Sequence, residues 1–166
     1  MSKALSYLFK GTIGERVARA IMPSFQRKAI RAWANHVAAE LSAKSKRQRD
    51  KFKTACVAVD DYTGEMYFGR NGGIGHDGLG LHPALKSILP NQSLNNYPTP
   101  WNCAESDAIN QALHSGANIS NIHIYTISTT HNGKGDNKYG HDKRSCVNCT
   151  VAFKGRIRRN NTGWTE

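Results

Sequence analysis

Asn102-Cys103-Ala104-Glu105 and, further along, Ser145-Cys146-Val147-Asn148-Cys149 decide how this chain is read. Three thiols and one carboxylate in this order can hold a zinc ion with an open fourth position and set a proton carrier beside the water that fills it. A Cys-x-x-Cys pair opening a helix presents both sulfurs on one side, where the helix N-terminus favours their negative charge. Cys103 is the candidate third sulfur, because Pro98-Thr99-Pro100 stops the chain just before it and Ala104, Ala108, Ile109, Ala112 and Leu113 follow as an amphipathic helix. Glu105 falls in the first turn of that helix, close enough to take a proton from the water without becoming a ligand.

Each part also has an ordinary reading. Glu105 stands three residues after Asn102, the spacing of a helix capping box. Cys103 alone reads as a small buried hydrophobe, and Cys-x-x-Cys alone also occurs in redox sites and structural zinc knobs. A structural knob normally carries two such pairs, and this chain has one. Cys56, in Thr54-Ala55-Cys56-Val57-Ala58-Val59, reads as a strand core residue; as a fourth ligand it would close the site.

With 166 residues the chain is long enough for one domain with a substantial core. Four cysteines, three of them placed as ligands, leave no pair for a disulfide framework and imply a reducing compartment. No apolar run is long enough to span a membrane, and Met1 to Lys10 lacks the sustained apolar core of a signal peptide. If the protein leaves its cell, it is expected to do so as part of something larger or by a dedicated export machine. The formal net charge of +11 is divided unevenly: +10 in residues 1–53, −4 in residues 54–133 and +5 in residues 134–166. Basic flanks of this size suit a polyanion such as nucleic acid, although Lys44 to Arg49 also reads as a solvated helix end and Arg156 to Arg159 as a soluble tail.

Residues 1–23 read as a basic helical extension ended by Pro23, and residues 24–166 as the domain proper. From Ser24 to about Ala43 a helix is expected, with Phe25, Ala29, Ala32, Trp33, His36, Val37 and Leu41 on its buried stripe. Two strands follow, Phe52 to Val59 and Glu65 to Phe68, joined by the hairpin turn Asp60-Asp61-Tyr62-Thr63-Gly64. A long Gly-, Asn- and Pro-rich connection reaches Pro100, with a short helix at Pro83 to Leu89. The helix from Asn102 to about His114, a buried strand from Asn121 to Ser128 and a helix from Cys146 to about Lys154 complete the order.

Helix, two strands, a helix with Cys-x-Glu, a strand and a helix with Cys-x-x-Cys resembles the cytidine deaminase-like fold over about Ser24 to Lys154. That fold implies a three-layer α/β/α sandwich with a mixed central sheet, here with an N-terminal basic helical segment added. Trp101 to Glu105 followed by Ser145 to Cys149 is similar to the YwqJ-like group of bacterial polymorphic-toxin deaminases. The resemblance implies Zn2+ on Cys103, Cys146 and Cys149, with Glu105 as proton shuttle. It further implies a secreted or delivered effector, active in the cytoplasm of a target cell, and a cognate immunity protein in the producer. Two departures stand out: Cys103 replaces the histidine of many deaminases, and Ser145 replaces the usual proline, where it reads as an N-cap. Three thiolates make the centre anionic, and Arg144 is a candidate for offsetting that charge.

The expected activity is hydrolytic deamination of cytosine to uracil in single-stranded nucleic acid, DNA or RNA. Asn71 matches the place where deaminases of this fold use an asparagine on the sugar, while Asn71-Gly72 is equally a turn signal. Tyr97 and Trp101 are candidates for stacking on a base, with a hydrophobic-staple role open for Trp101. His141 and, more weakly, His131 are candidates for the pocket rim or plain loop histidines. Arg156, Arg158 and Arg159 are the expected nucleic-acid contacts, with the N-terminal segment up to Lys53 as a rival. Alternatives are a free nucleoside, free base or adenine deaminase, and a non-enzymatic nucleic-acid-binding module with structural zinc.

Overall fold

The computed structural model describes residues 12–76 and 78–166; the part of the basic extension before Thr12 lies outside them. The described elements are α1 (Thr12–Ser42), α2 (Lys46–Asp50), β1 (Thr54–Asp60), β2 (Met66–Arg70), α3 (Pro83–Ile88), α4 (Ala104–His114), β3 (Ile122–Ser128), α5 (Val147–Phe153) and β4 (Arg159–Asn160). The sheet order is β2-β1-β3-β4, with β1 antiparallel to β2 and β3 and β4 parallel to β3. The result is the expected α/β architecture with a mixed sheet.

The expected hairpin forms with Val59 opposite Met66 and Ala55 opposite Arg70. Its turn works as its residues suggest: Asp60 Oδ1 accepts from the Tyr62 amide at 2.9 Å, and Gly64 takes a φ of 76° that side chains disfavour. All seven residues of β1 are buried, and successive side chains point to opposite faces. Ala55, Val57 and Val59, with Tyr125 and Ile127, form one core beneath α1. Cys56 and Ala58, with Ile122 and Ile124, form the other with Ala104, Ala108, Ile109, Cys149 and Phe153 of the helices opposite. Helices on both faces make the sandwich three layers deep. Cys56 is a core residue, with burial holding its thiol well above the usual range.

Two expectations for the first helix are corrected. Pro23 does not break the chain; α1 runs through it, and the division between residues 1–23 and 24–166 falls inside a helix. A proline removes one ladder donor, and at this half-buried position the freed carbonyl can remain hydrated. The buried stripe is Met22, Gln26, Ile30, Ala34 and Val37, turned from the predicted one, of which only Val37 is fully buried. Gln26 causes the difference: its Nε2 donates to the His123 carbonyl at 3.0 Å and its Oε1 accepts from Asn161 at 2.6 Å, so a polar residue sits in the core fully paired.

The C-terminal segment is no free tail. β4 pairs beside β3; its Asn160 Nδ2 donates to Ser145 Oγ at 2.9 Å, and just beyond it the Gly163 carbonyl accepts from the Ser145 amide at 3.0 Å. These bonds fix the residue in front of Cys146. On the other side of the site, Gly69 lets α4 lie directly on β2. A Cβ there would stand 2.4 Å from both the Ala104 carbonyl oxygen and the Ala108 amide nitrogen.

Gly69→Ala is therefore expected to destabilise the protein by about 1–3 kcal/mol through overpacking and to shift α4 with its metal-facing end. Chemical denaturation checks this; an unchanged midpoint would contradict the tight β2–α4 approach.

Candidate metal centre and active site

Cys103 is the N-cap of α4 and Cys146 the N-cap of α5, with Cys149 one turn into the latter. Neither cap position carries a side-chain capping bond, so both thiols are left for other work. The Sγ atoms of Cys103, Cys146 and Cys149 lie within 4.8 Å of one another, the one such cluster of potential ligands among the described residues. Tetrahedral zinc with Zn–S bonds of about 2.3 Å needs sulfurs about 3.8 Å apart, which this cluster accommodates.

The donor chemistry also fits a cation. Thiols of Cys103 and Cys149 donate to the Cys146 sulfur and hold its pKa down at about 3, whereas those two thiols are themselves pushed up. The half-buried Cys146 thiolate is thus stabilised by its neighbours, and ionising all three calls for a positive ion. The three cysteines could hold a metal ion in this arrangement.

Glu105 is buried, in the first turn of α4, with Oε2 3.9 Å from Cys149 Sγ. Because Cys103 is the N-cap, Asn102 and Glu105 do not form a capping box. Burial and then the Cys146 charge raise the Glu105 pKa to about 7, against hydrogen bonding with Ser145 and the charge of Lys143. A carboxyl tuned there can both accept and return a proton near neutral pH. Ser145 is not the N-cap expected from its position; it is buried beside the carboxyl and bonded to Asn160.

A narrow cleft of about 30 Å³, lined by Thr54, Asn71, Tyr97, Cys103, Glu105 and Cys146 together with Ala104, Lys143 and Arg144, opens on these groups. Space of this size holds a water. Asn71 is present, but its side chain serves the backbone: Oδ1 accepts from the amides of Lys53 at 2.9 Å and Thr54 at 3.0 Å, and Nδ2 donates to the Lys51 carbonyl at 2.7 Å. Tyr97 is 37% exposed on one wall, its phenol pushed up to about 12 by burial and then by the Cys103 charge. Arg144 is among the lining residues.

Other expected residues lie elsewhere. Trp101 is half-buried and packed against the apolar core. His141 and His131 are exposed and do not line the cleft. Arg159 sits opposite His123, and the Arg158 amide donates to the Ile122 carbonyl, so both stand at the start of β3, whereas the cleft adjoins Thr54 opposite its end, Ser128. Arg158 pairs with Asp61 at 3.5 Å, and Arg156 donates to the Val151 and Ala152 carbonyls.

Three residues escaped the sequence pattern. Lys143 lines the cleft with Nζ 2.8 Å from Thr54 Oγ1; a cation three positions before Cys146 was the available signal. Asn148 is buried inside the Cys-x-x-Cys turn. It accepts from the Leu94 amide at 2.8 Å and donates to Ser93 Oγ and Asn95 Oδ1, binding the segment that carries Tyr97 to α5. Asp107 accepts from the Arg70 amide at 2.9 Å and fixes the end of β2 to α4. Neither of these two has a local sequence signature.

The family model of YwqJ-like deaminase matches residues 38–154, which include all three cysteines, Glu105 and every residue lining the cleft. No curated protein and no solved structure gives a significant match.

Elemental analysis is expected to find one metal ion per chain. Replacing Cys103, Cys146 or Cys149 with serine is expected to lower occupancy sharply and reduce thermal stability, since binding energy at a site joining two helices is partly folding energy. Full occupancy in Cys103→Ser would remove that residue from the ligand set.

Proposed function

Because this chain belongs to the YwqJ-like deaminases of the cytidine deaminase-like superfamily, we propose that it is a zinc-dependent hydrolytic deaminase converting cytosine to uracil in single-stranded nucleic acid. The observation that carries the reading is a cluster of three sulfurs, two of which, Cys103 and Cys146, line one cleft together with a buried Glu105. Cys103, Cys146 and Cys149 would hold the zinc ion, which would supply the Lewis acidity that makes water a nucleophile at neutral pH. The residues of the chain do the rest. Glu105 takes a proton from the attacking water and delivers it to N3 of the base, then passes the second water proton from the new C4 hydroxyl to the amino group, so that the C4–N4 bond breaks, ammonia leaves and the C4 carbonyl forms. Lys143, fixed to Thr54, contributes positive charge beside an otherwise anionic centre. Tyr97 offers the base a partly exposed aromatic face.

A nucleic-acid substrate is supported by the net charge of +11 and by cations lining the approach to the cleft. The similarity to toxin deaminases supports the remaining assignments: a delivered effector acting in the target-cell cytoplasm and neutralised by an immunity protein in the producer. No described helix is long and apolar enough to cross a membrane.

Brief expression in cells followed by sequencing of DNA and RNA is expected to reveal C-to-T or C-to-U changes; A-to-G changes would transfer the reading to adenine. Glu105→Gln is expected to keep its metal while turnover falls by at least about a hundredfold, the scale of general acid–base catalysis. Near wild-type turnover in that variant would reduce Glu105 to a structural residue.

A further inference from the structure

Beside the cleft runs a groove of about 1120 Å³ whose charged lining, among the described residues, is Lys46, Arg47, Lys51, Lys53, Arg70 and Lys143, with Asp50 as the carboxylate. Asp50 is bound to Lys46 at 2.6 Å, so it leaves the remaining cations uncompensated. Thr54, Asn71, Tyr97 and Lys143 line both spaces and make them continuous. Resting on the nucleic-acid reading above, we propose that this groove is the track for the phosphate backbone of a single strand, with Lys51, Lys53 and Arg70 along it and Lys143 where it meets the cleft.

The cations are spread over separate elements: the end of α2, the approach to β1, the end of β2 and the segment before Cys146. A lone phosphate needs one tight cluster, whereas a chain of phosphates is matched by charges placed along a path. Their backbones are held in place. The Asn71 side chain clamps Lys51, Lys53 and Thr54, and the Lys53 carbonyl also accepts from the Thr129 amide at 3.0 Å. The Lys51 and Lys53 side chains are exposed on that fixed base. Tyr97, at the junction, is where a base leaving the track would first meet an aromatic ring. The Arg158–Arg159 pair stands at the opposite end of β3, which removes it from the path to the cleft.

The test is binding of a labelled cytosine-containing single-stranded oligonucleotide to the metal-loaded chain, by anisotropy across a salt series, with thermal melting to confirm folding. Wild type is expected to show a steep linear fall of log affinity with log salt. Lys51→Gln with Lys53→Gln is expected to flatten that slope by about 0.7 for each lysine, while Arg159→Gln keeps the wild-type slope. Lys143→Gln is expected to flatten it by a similar step and Lys143→Arg to restore it, which separates charge from the bond to Thr54. A wild-type slope in the Lys51/Lys53 double variant, or a flattened slope in Arg159→Gln, overturns the proposal. So does displacement of the oligonucleotide by CMP at equal phosphate concentration, which would make this a single-phosphate site. Deamination of free cytidine is followed in parallel: loss of the salt effect with that activity retained condemns the track alone, and absence of deamination from every substrate condemns the enzymatic reading alone.

Discussion

Three sulfurs brought within 4.8 Å of one another in a largely buried site cannot all carry charge without a cation, and the surrounding architecture exists to keep them there. Two come from the start and body of α5 and one from the start of α4, so the site is only as well formed as the mutual placement of two helices. Each helix is fixed independently. The missing Cβ of Gly69 and the Asp107–Arg70 bond seat α4 on β2, and the segment after β4 grips Ser145 in front of α5. Glu105 inherits its position from the first of these anchors and its raised pKa from the enclosure they create.

The convergence of the three cysteines was legible because ligand chemistry restricts residue type: a soft, open zinc site would require thiolates and a nearby proton carrier, and few arrangements of Cys and Glu meet that demand. The β-hairpin was legible because its turn must be made by residues such as Asp60 and Gly64. What failed was decided across the fold. Gln26 reads as surface-facing until His123 and Asn161 are brought to it, and that shifted the inferred face of α1. Pro23 reads as a terminator, yet it interrupts one bond in a long helix. Asn71 was correctly drawn to the cleft, but its amide is occupied by the backbone of residues 51–54, a contact no local pattern announces.

Charge illustrates the same limit. A count along the chain identifies basic flanks but not their positions, and folding sends them to different ends of the sheet. The residues before β1 come beside the cleft, while Arg158 settles against Asp61 at the far edge. The negative middle region, residues 54–133, contains Glu105 and Asp107, so the acidic and sulfur-rich centre is bordered by lysines from both flanks. This border eases the accumulation of negative charge at the centre.

Residues 72–102 leave and rejoin the body at one point, where the Gly72 amide donates to the Asn102 carbonyl at 2.8 Å. Between those ends the excursion is moored twice, by Asn110 to Gly80 and His82 beside α3, and by Asn148 to residues 93–95. It contributes Tyr97 to the cleft wall but no sulfur and no carboxylate to the reacting centre. Outside Gly73, which lies tight against Asp107, and the core residues Leu85 and Leu89, a segment that starts and finishes at the same place can change content without altering the contact between β2 and α4. It forms an exchangeable cassette, through which divergence or engineering can reshape what enters the cleft while the chemistry at its floor stays constant.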